Sequence, residues 1–113
     1  MEFLVSMHIT LPPDLPDDLR EGLYRREGVI ARDYAARGFI TRIWRRLGST
    51  WNWMLWDVRD ASQLQELLTG FPLFHYSAGT EVYALAYNAN DPGVTGIPKR
   101  IRDEDEFPVQ VTP

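Results

Sequence analysis

The sequence predicts a single α+β domain in which strand, helix, strand, strand, helix and strand follow one another. Three observations predict it: an N-terminal segment that alternates in hydropathy, two segments with helical spacing that each close on a glycine, and two extended aromatic-rich runs joined by a short glycine-containing turn.

Residues 2–10 place Phe3, Val5, Met7 and Ile9 on one side and Leu4, Ser6, His8 and Thr10 on the other, which is the period of a strand. Leu11-Pro12-Pro13-Asp14 breaks that strand. Pro16 followed by Asp17 and Asp18 has the composition of a first helical turn, where proline fits and acidic side chains meet the positive end of the dipole. Leu19, Leu23, Ile30, Ala31 and Tyr34 then recur at helical spacing, and Gly38 supplies a helix-ending position, so a helix is predicted over 16–37. Residues 39–47 and 51–58 are β-rich, and Gly48-Ser49-Thr50 between them makes a hairpin. Asp60-Ala-Ser-Gln63 has the form of a capping box ahead of Leu64, Leu67 and Leu68, which predicts a second helix ending at Gly70. A connection through Pro72 and Gly79 leads to a fourth strand over 81–87. Residues 88–113 collect Asn, Asp, Gly, proline and a charged cluster, and are expected to be an arm on the 1–87 domain rather than a second domain.

This element order is that of the ferredoxin-like βαββαβ fold, a four-stranded antiparallel sheet with two helices on one face. Neither face of the predicted sheet is polar, since Trp51, Trp53 and Leu55 oppose Met54, Trp56 and Val58. Water would meet large apolar side chains whichever face the helices cover, so a homo-oligomer is expected, with the arm a candidate to wrap a neighbour. The alternative is an arm folded back over its own sheet.

A chain of 113 residues supports one hydrophobic core, and 44% hydrophobic with 25% charged residues is ordinary for a globular domain. The net charge of −4 and a pI of 5.1 supply no positive field, so neither nucleic acid nor a membrane surface is expected as a partner. With no cysteine there is no disulfide framework, thiolate nucleophile or zinc-thiolate cluster. The N-terminus alternates instead of showing a charged region and an apolar run, so a cytoplasmic location is expected. His8 and His75 stand far apart and nothing has metal-ligand spacing, so no metal is expected. G-x-G-x-x-G, Walker, G-x-S-x-G and H-E-x-x-H patterns are absent, which leaves a cofactor-free mechanism acting on a small-molecule substrate.

Glu27 falls on the apolar stripe of the first helix, between Leu23 and Ala31, and so faces the core. Partial burial raises a carboxyl pKa toward the range in which it can take and return a proton. The other reading is a glutamate at the edge of the stripe, paired with Arg20, Arg26 or a strand arginine. Alternation places Thr41, Ile43 and Arg45 on one face and Arg42, Trp44 and Arg46 on the other. An arginine there would hold an anionic substrate and stabilise enolate charge. Asn52 would donate to a substrate oxygen or else cap the hairpin, and His8 is a pocket acid or base or else a structural histidine.

Several segments together resemble the muconolactone isomerase family: Met1-Glu-Phe-Leu-Val5 with Leu11-Pro12, residues 27–38, Ile43-Trp-Arg45 with Gly48, Asn52, Asp57-Val58, and Pro72-Leu-Phe74 with Tyr76. The resemblance covers residues 1–87 and implies a ferredoxin-like fold, an assembly of ten subunits as in that family, and no cofactor. It also implies an isomerase that moves a proton within a small unsaturated lactone carboxylate, in aromatic compound catabolism. By position Glu27 matches the family's helix carboxylate and proton carrier, Asn52 its pocket asparagine, and Trp44-Arg45 its Trp-Arg pair. Where the family has a histidine before its Leu-Trp-Arg this chain has Arg42 before Ile43-Trp-Arg45, and Ser49 and Thr50 replace its histidine and tyrosine. Glu27 and Asn52 are thus the candidate catalytic residues, and His8, Arg42, Trp44, Arg45 and Thr50 the candidate substrate-binding residues. A tailoring cyclase or isomerase of specialised metabolism, and a non-catalytic oligomeric binding module, are the alternatives.

Overall fold

The alternating N-terminal segment becomes a central strand of the molecule. In the computed structural model, which describes residues 1–95, β1 (Glu2–Ile9) pairs antiparallel with β3 (Asn52–Asp57) on one side and with β4 (Ser77–Leu85) on the other. The hairpin partner β2 (Ile40–Arg45) completes a four-stranded sheet of order β2-β3-β1-β4. Helix α1 (Asp17–Ala36) links β1 to β2, and α2 (Ala61–Thr69) links β3 to β4. The fold is therefore the expected ferredoxin-like one.

Register sorts the two faces. Phe3 lies opposite Trp56 and Val5 opposite Met54, and these four share the core with Ile40, Tyr34, Leu64, Leu68 and Phe71. Val5 and Trp56 are fully buried, and burying such side chains contributes about 1.5–3 kcal/mol each. The opposite face carries Leu4, Trp53, Leu55, Tyr83 and Leu85, the side away from α1 and α2. Tyr83 is 49% exposed, Leu85 42% and, at the other edge of the sheet, Trp44 of β2 40%.

Helix α1 ends as Gly38 requires. Gly38 has φ +82, its N–H donates to Ala35 O, and the Phe39 N–H reaches back to Tyr34 O, so the last carbonyls are satisfied in a Schellman arrangement. The rings of Tyr34 and Phe39 meet edge to face across this turn. At the start of α2, Asp60 Oδ1 accepts from the Gln63 N–H at 2.8 Å, while Gln63 Oε1 accepts from the Arg59 N–H at 2.7 Å, one residue earlier than the usual box.

Three expectations are corrected. Pro16 is the residue before the first turn of α1 rather than within it, and Leu19 is 55% exposed, so the covered stripe starts near Leu23. The connection through Pro72 forms a 3-10 helix, Pro72–Tyr76. The fourth strand begins at Ser77 and ends at Leu85 instead of spanning 81–87, because Ser77, Gly79 and Thr80 pair with Ile9, His8 and Met7 across a register shift. A glycine within a strand reads as a break from sequence alone. Of the arm, residues 88–93 are exposed and a single turn, α3 (Pro92–Thr95), follows, while the remainder lies outside the described residues.

Tyr34 holds the two helices together, its hydroxyl donating to Leu67 O at 2.8 Å and abutting the Cα of Gly70. A Cβ at Gly70 would collide with that hydroxyl, although its φ of −73° suits any residue. Gly70→Ala is expected to destabilise the fold by about 1–3 kcal/mol through overpacking, read as a lowered denaturation midpoint. An unchanged midpoint would show that α2 shifts freely against Tyr34.

Candidate active site

The stripe of α1 that faces the sheet runs Leu23, Glu27, Ile30 and Ala31, all half-buried, to the buried Tyr34. Next to it a cavity of about 300 Å³ opens between α1 and the sheet, at the lower end of the roughly 300–1,000 Å³ usual for ligand pockets. Its walls are mostly apolar, from Met7, Ile43, Met54, Phe71 and Leu73. Five side chains with polar groups interrupt them: Tyr24 and Glu27 from the helix, Arg45 and Asn52 from the hairpin strands, and Thr50 from the turn. Arg45 and Asn52 are directly opposed across β2 and β3, and Asn52 opposes Met7 of β1, so the three form one row on the helix-facing side.

The Glu27 carboxylate is held from the 3-10 helix. Pro72 occupies the first position of that helix, and the next N–H, of Leu73, has no carbonyl within its own helix to reach. Glu27 Oε2 accepts it at 3.0 Å. No ion pair forms at this carboxylate among the described residues, so it is not satisfied by Arg20 or Arg26. Desolvation by burial raises the Glu27 pKa above its ordinary value of 4.5, with the Leu73 N–H acting in the opposite direction. Oε1 has no hydrogen-bond partner among the described residues and is free to meet a ligand.

Of the residues singled out from sequence, Glu27, Arg45, Thr50 and Asn52 come together at this cavity. The structure takes the other three elsewhere. Arg42 opposes Leu55 and Trp44 opposes Trp53, so both lie on the face away from the helices, where the Arg42 guanidinium sits 4.8 Å from the Trp44 ring centre. His8 is on that face too, stacked on Trp51 at 4.8 Å with 11° between the planes. The physical reason is the two-residue period: each is one position out of step with Met7, Ile43 or Arg45. Two cavity components escaped the sequence reading. Tyr24, one turn before Glu27, carried a signal in that spacing, whereas the Leu73 amide carried only the weak one of following a proline. Among the described residues no group of three or more His, Asp or Glu could hold a metal ion, and no helix is long and apolar enough to cross a membrane.

A helix-borne carboxylate over an apolar cavity, facing a guanidinium and a carboxamide on a ferredoxin-like sheet, is the frame of a small-molecule enzyme. Comparison with known proteins gives the particular one: residues 1–91 match the profile of the family described as muconolactone delta-isomerase, and the chain belongs to that family. It is 33% identical over 76 residues to muconolactone delta-isomerase 1 of Acinetobacter lwoffii, covering 67% of this chain and 79% of that protein. With the muconolactone delta-isomerase of Rhodococcus opacus it shares 30% over 89 residues, 79% of this chain and 95% of the other. A crystal structure of muconolactone isomerase superposes with a TM-score of 0.75 at 28% identity, covering 80% of this chain and 94% of that one. The protein is an isomerase of the muconolactone type, and neither the specialised-metabolism nor the binding-module alternative draws support from these relatives.

The raised pKa of Glu27 sets a sign for stability. Because the folded carboxyl holds its proton more tightly than the unfolded one, the folded state binds more protons between pH 4.5 and the raised value, and stability falls as pH rises through that window. Glu27→Gln is expected to flatten this slope in denaturation measured across pH. A slope unchanged by the substitution would mean that Glu27 is not desolvated in the folded protein.

Proposed function

We propose that the protein shifts a double bond within a small unsaturated lactone carboxylate, muconolactone or a close relative, without a cofactor, and that Glu27 carries the proton. The observation that carries this reading is the single carboxylate in the cavity, desolvated, pinned through one oxygen to the Leu73 N–H and free at the other. A carboxylate so placed is oriented as well as poised for proton transfer.

In this mechanism Glu27 Oε1 takes a proton from an acidic carbon conjugated to the lactone carbonyl. The electron pair of the broken C–H bond passes into the conjugated system, and the carbonyl oxygen gains negative charge. Arg45 and Asn52, side by side on the sheet, donate to the anionic oxygens of the substrate, one to the carboxylate and one to the developing enolate. Thr50 closes the hairpin end of the cavity, adding a hydroxyl. Glu27 then returns the proton to a different carbon of the same system, so the double bond moves and the composition of the molecule is unchanged. A base, two donors and an apolar enclosure suffice for this sequence of bond changes. The names of the relatives support the substrate class, which fits the catabolism of aromatic compounds.

The reading includes self-association through the uncovered sheet face, where Trp44, Tyr83 and Leu85 are each at least two-fifths exposed. Sedimentation at micromolar concentration is expected to show a homo-oligomer, as large as a decamer by the family resemblance. A monomer there would remove the assembly from the proposal.

Incubation with muconolactone in deuterated water is expected to show deuterium entering the product with the double bond shifted, followed by NMR. Glu27→Gln keeps an acceptor for the Leu73 N–H and is expected to slow the exchange about 10²–10⁴-fold. Exchange at the wild-type rate in that variant would sink the assignment of Glu27.

A further inference from the structure

We infer that Trp51 is the positioning residue of the polar corner of the cavity, acting from the reverse side of the sheet. The inference rests on the proposed roles of Arg45 and Asn52, and it concerns what holds them in place.

The polar corner is a row across three strands, Arg45, Asn52 and Met7, on the helix-facing side. One residue further toward the hairpin end, Arg46 and Trp51, the residues just past the ends of β2 and β3, meet His8 of β1 on the opposite side. There the Arg46 guanidinium lies 5.3 Å from the Trp51 ring centre, and the indole stacks on His8 at 4.8 Å. The indole extends past His8 toward β4, where Cη2 stands 3.6 Å from the place a Cβ of Gly79 would occupy. Gly79 is the register partner of His8, so one tryptophan reaches from the hairpin across β1 to β4.

That reach matters because, past the ladder position that pairs Asn52 with Met7, the hydrogen bonds at this end of the hairpin lie within the turn itself. Arg46 N–H donates to Trp51 O at 2.8 Å, and the turn between them closes with Ser49 N–H to Arg46 O at 3.2 Å around Gly48 at φ +74. Leu47 at the tip is fully exposed. The direct link between Arg45 and Thr50 is a long hydrogen bond of 3.5 Å. The cation over indole and the indole over imidazole therefore add a side-chain clamp to the β1–β3 ladder at this end of the hairpin. The same clamp sets the distance between Arg45 and Asn52 on the hairpin and Glu27 on α1. His8 takes part in this clamp from the face away from the cavity.

Kinetics of Trp51→Ala and Trp51→Phe on muconolactone, with hydrogen exchange of the Arg46 amide in the same proteins without ligand, test the inference. Trp51→Ala is expected to raise KM about tenfold, more than it lowers kcat, since the donors that hold the substrate are displaced while Glu27 and its Leu73 contact are not touched. Trp51→Phe, which keeps a stacking ring, is expected to restore most of KM. A merely structural role would instead reduce the amount of active enzyme, lowering kcat at constant KM in proportion to the folded fraction. Exchange of the Arg46 amide is expected to quicken about tenfold in Trp51→Ala and little in Trp51→Phe. An unchanged KM in Trp51→Ala of a wild type that turns muconolactone over would overturn the inference and leave the proposed function standing. Should the wild type show no turnover, the proposed function fails, and equal Arg46 protection in wild type and Trp51→Ala would remove the clamp as well.

Discussion

Tyr34 is the point on which the rest of the structure turns. Its ring meets Phe39, Trp56 and Phe71 at 6.4, 5.7 and 5.2 Å, and its hydroxyl donates to Leu67 O, so one side chain of α1 contacts both hairpin strands or their approaches, α2, and the chain leaving α2. Aromatic pairs of this kind add about 0.5–1.5 kcal/mol each beyond their buried area. What Tyr34 holds is also what the cavity needs. Glu27 lies two turns earlier on the same stripe, and Leu73, whose amide it accepts, follows closely after Phe71. The joint between the helices and the position of the carboxylate are therefore one construction, in which packing energy keeps a desolvated acid against a single amide.

The fold was legible because its signals were local and redundant. Alternation over residues 2–10 suffices for β1, Gly38 for the end of α1, and Asp60 with Gln63 for the start of α2, and each has its counterpart in a hydrogen bond or dihedral angle. The failures came where tertiary contacts overrode local rules. Gly79 reads as a break, yet it pairs with His8 inside β4.

The candidate site divides in the same way. Glu27 was visible as a carboxylate on an apolar stripe, and the period of β2 and β3 suffices to put Arg45 and Asn52 on one face once their pairing is known. The pairing is a property of the folded sheet, so the sequence offered arginines on both faces without saying which one the helices cover. His8, Arg42 and Trp44 follow the opposite phase. The Leu73 amide was out of reach because a main-chain donor has no letter of its own, and its availability depends on its place in the first turn of a 3-10 helix.

The closure of α1 at Gly38 has a consequence for which changes the chain can tolerate. Because Phe39 N–H and Gly38 N–H are locked to the last carbonyls, the helix cannot slide relative to β2. Every residue between Glu27 and that lock adds about 100° of rotation about the helix axis. An insertion or deletion there would swing the carboxylate off the cavity while leaving every side chain of the site in the sequence. The number of residues between acid and cap is therefore as much a part of the site as the acid itself.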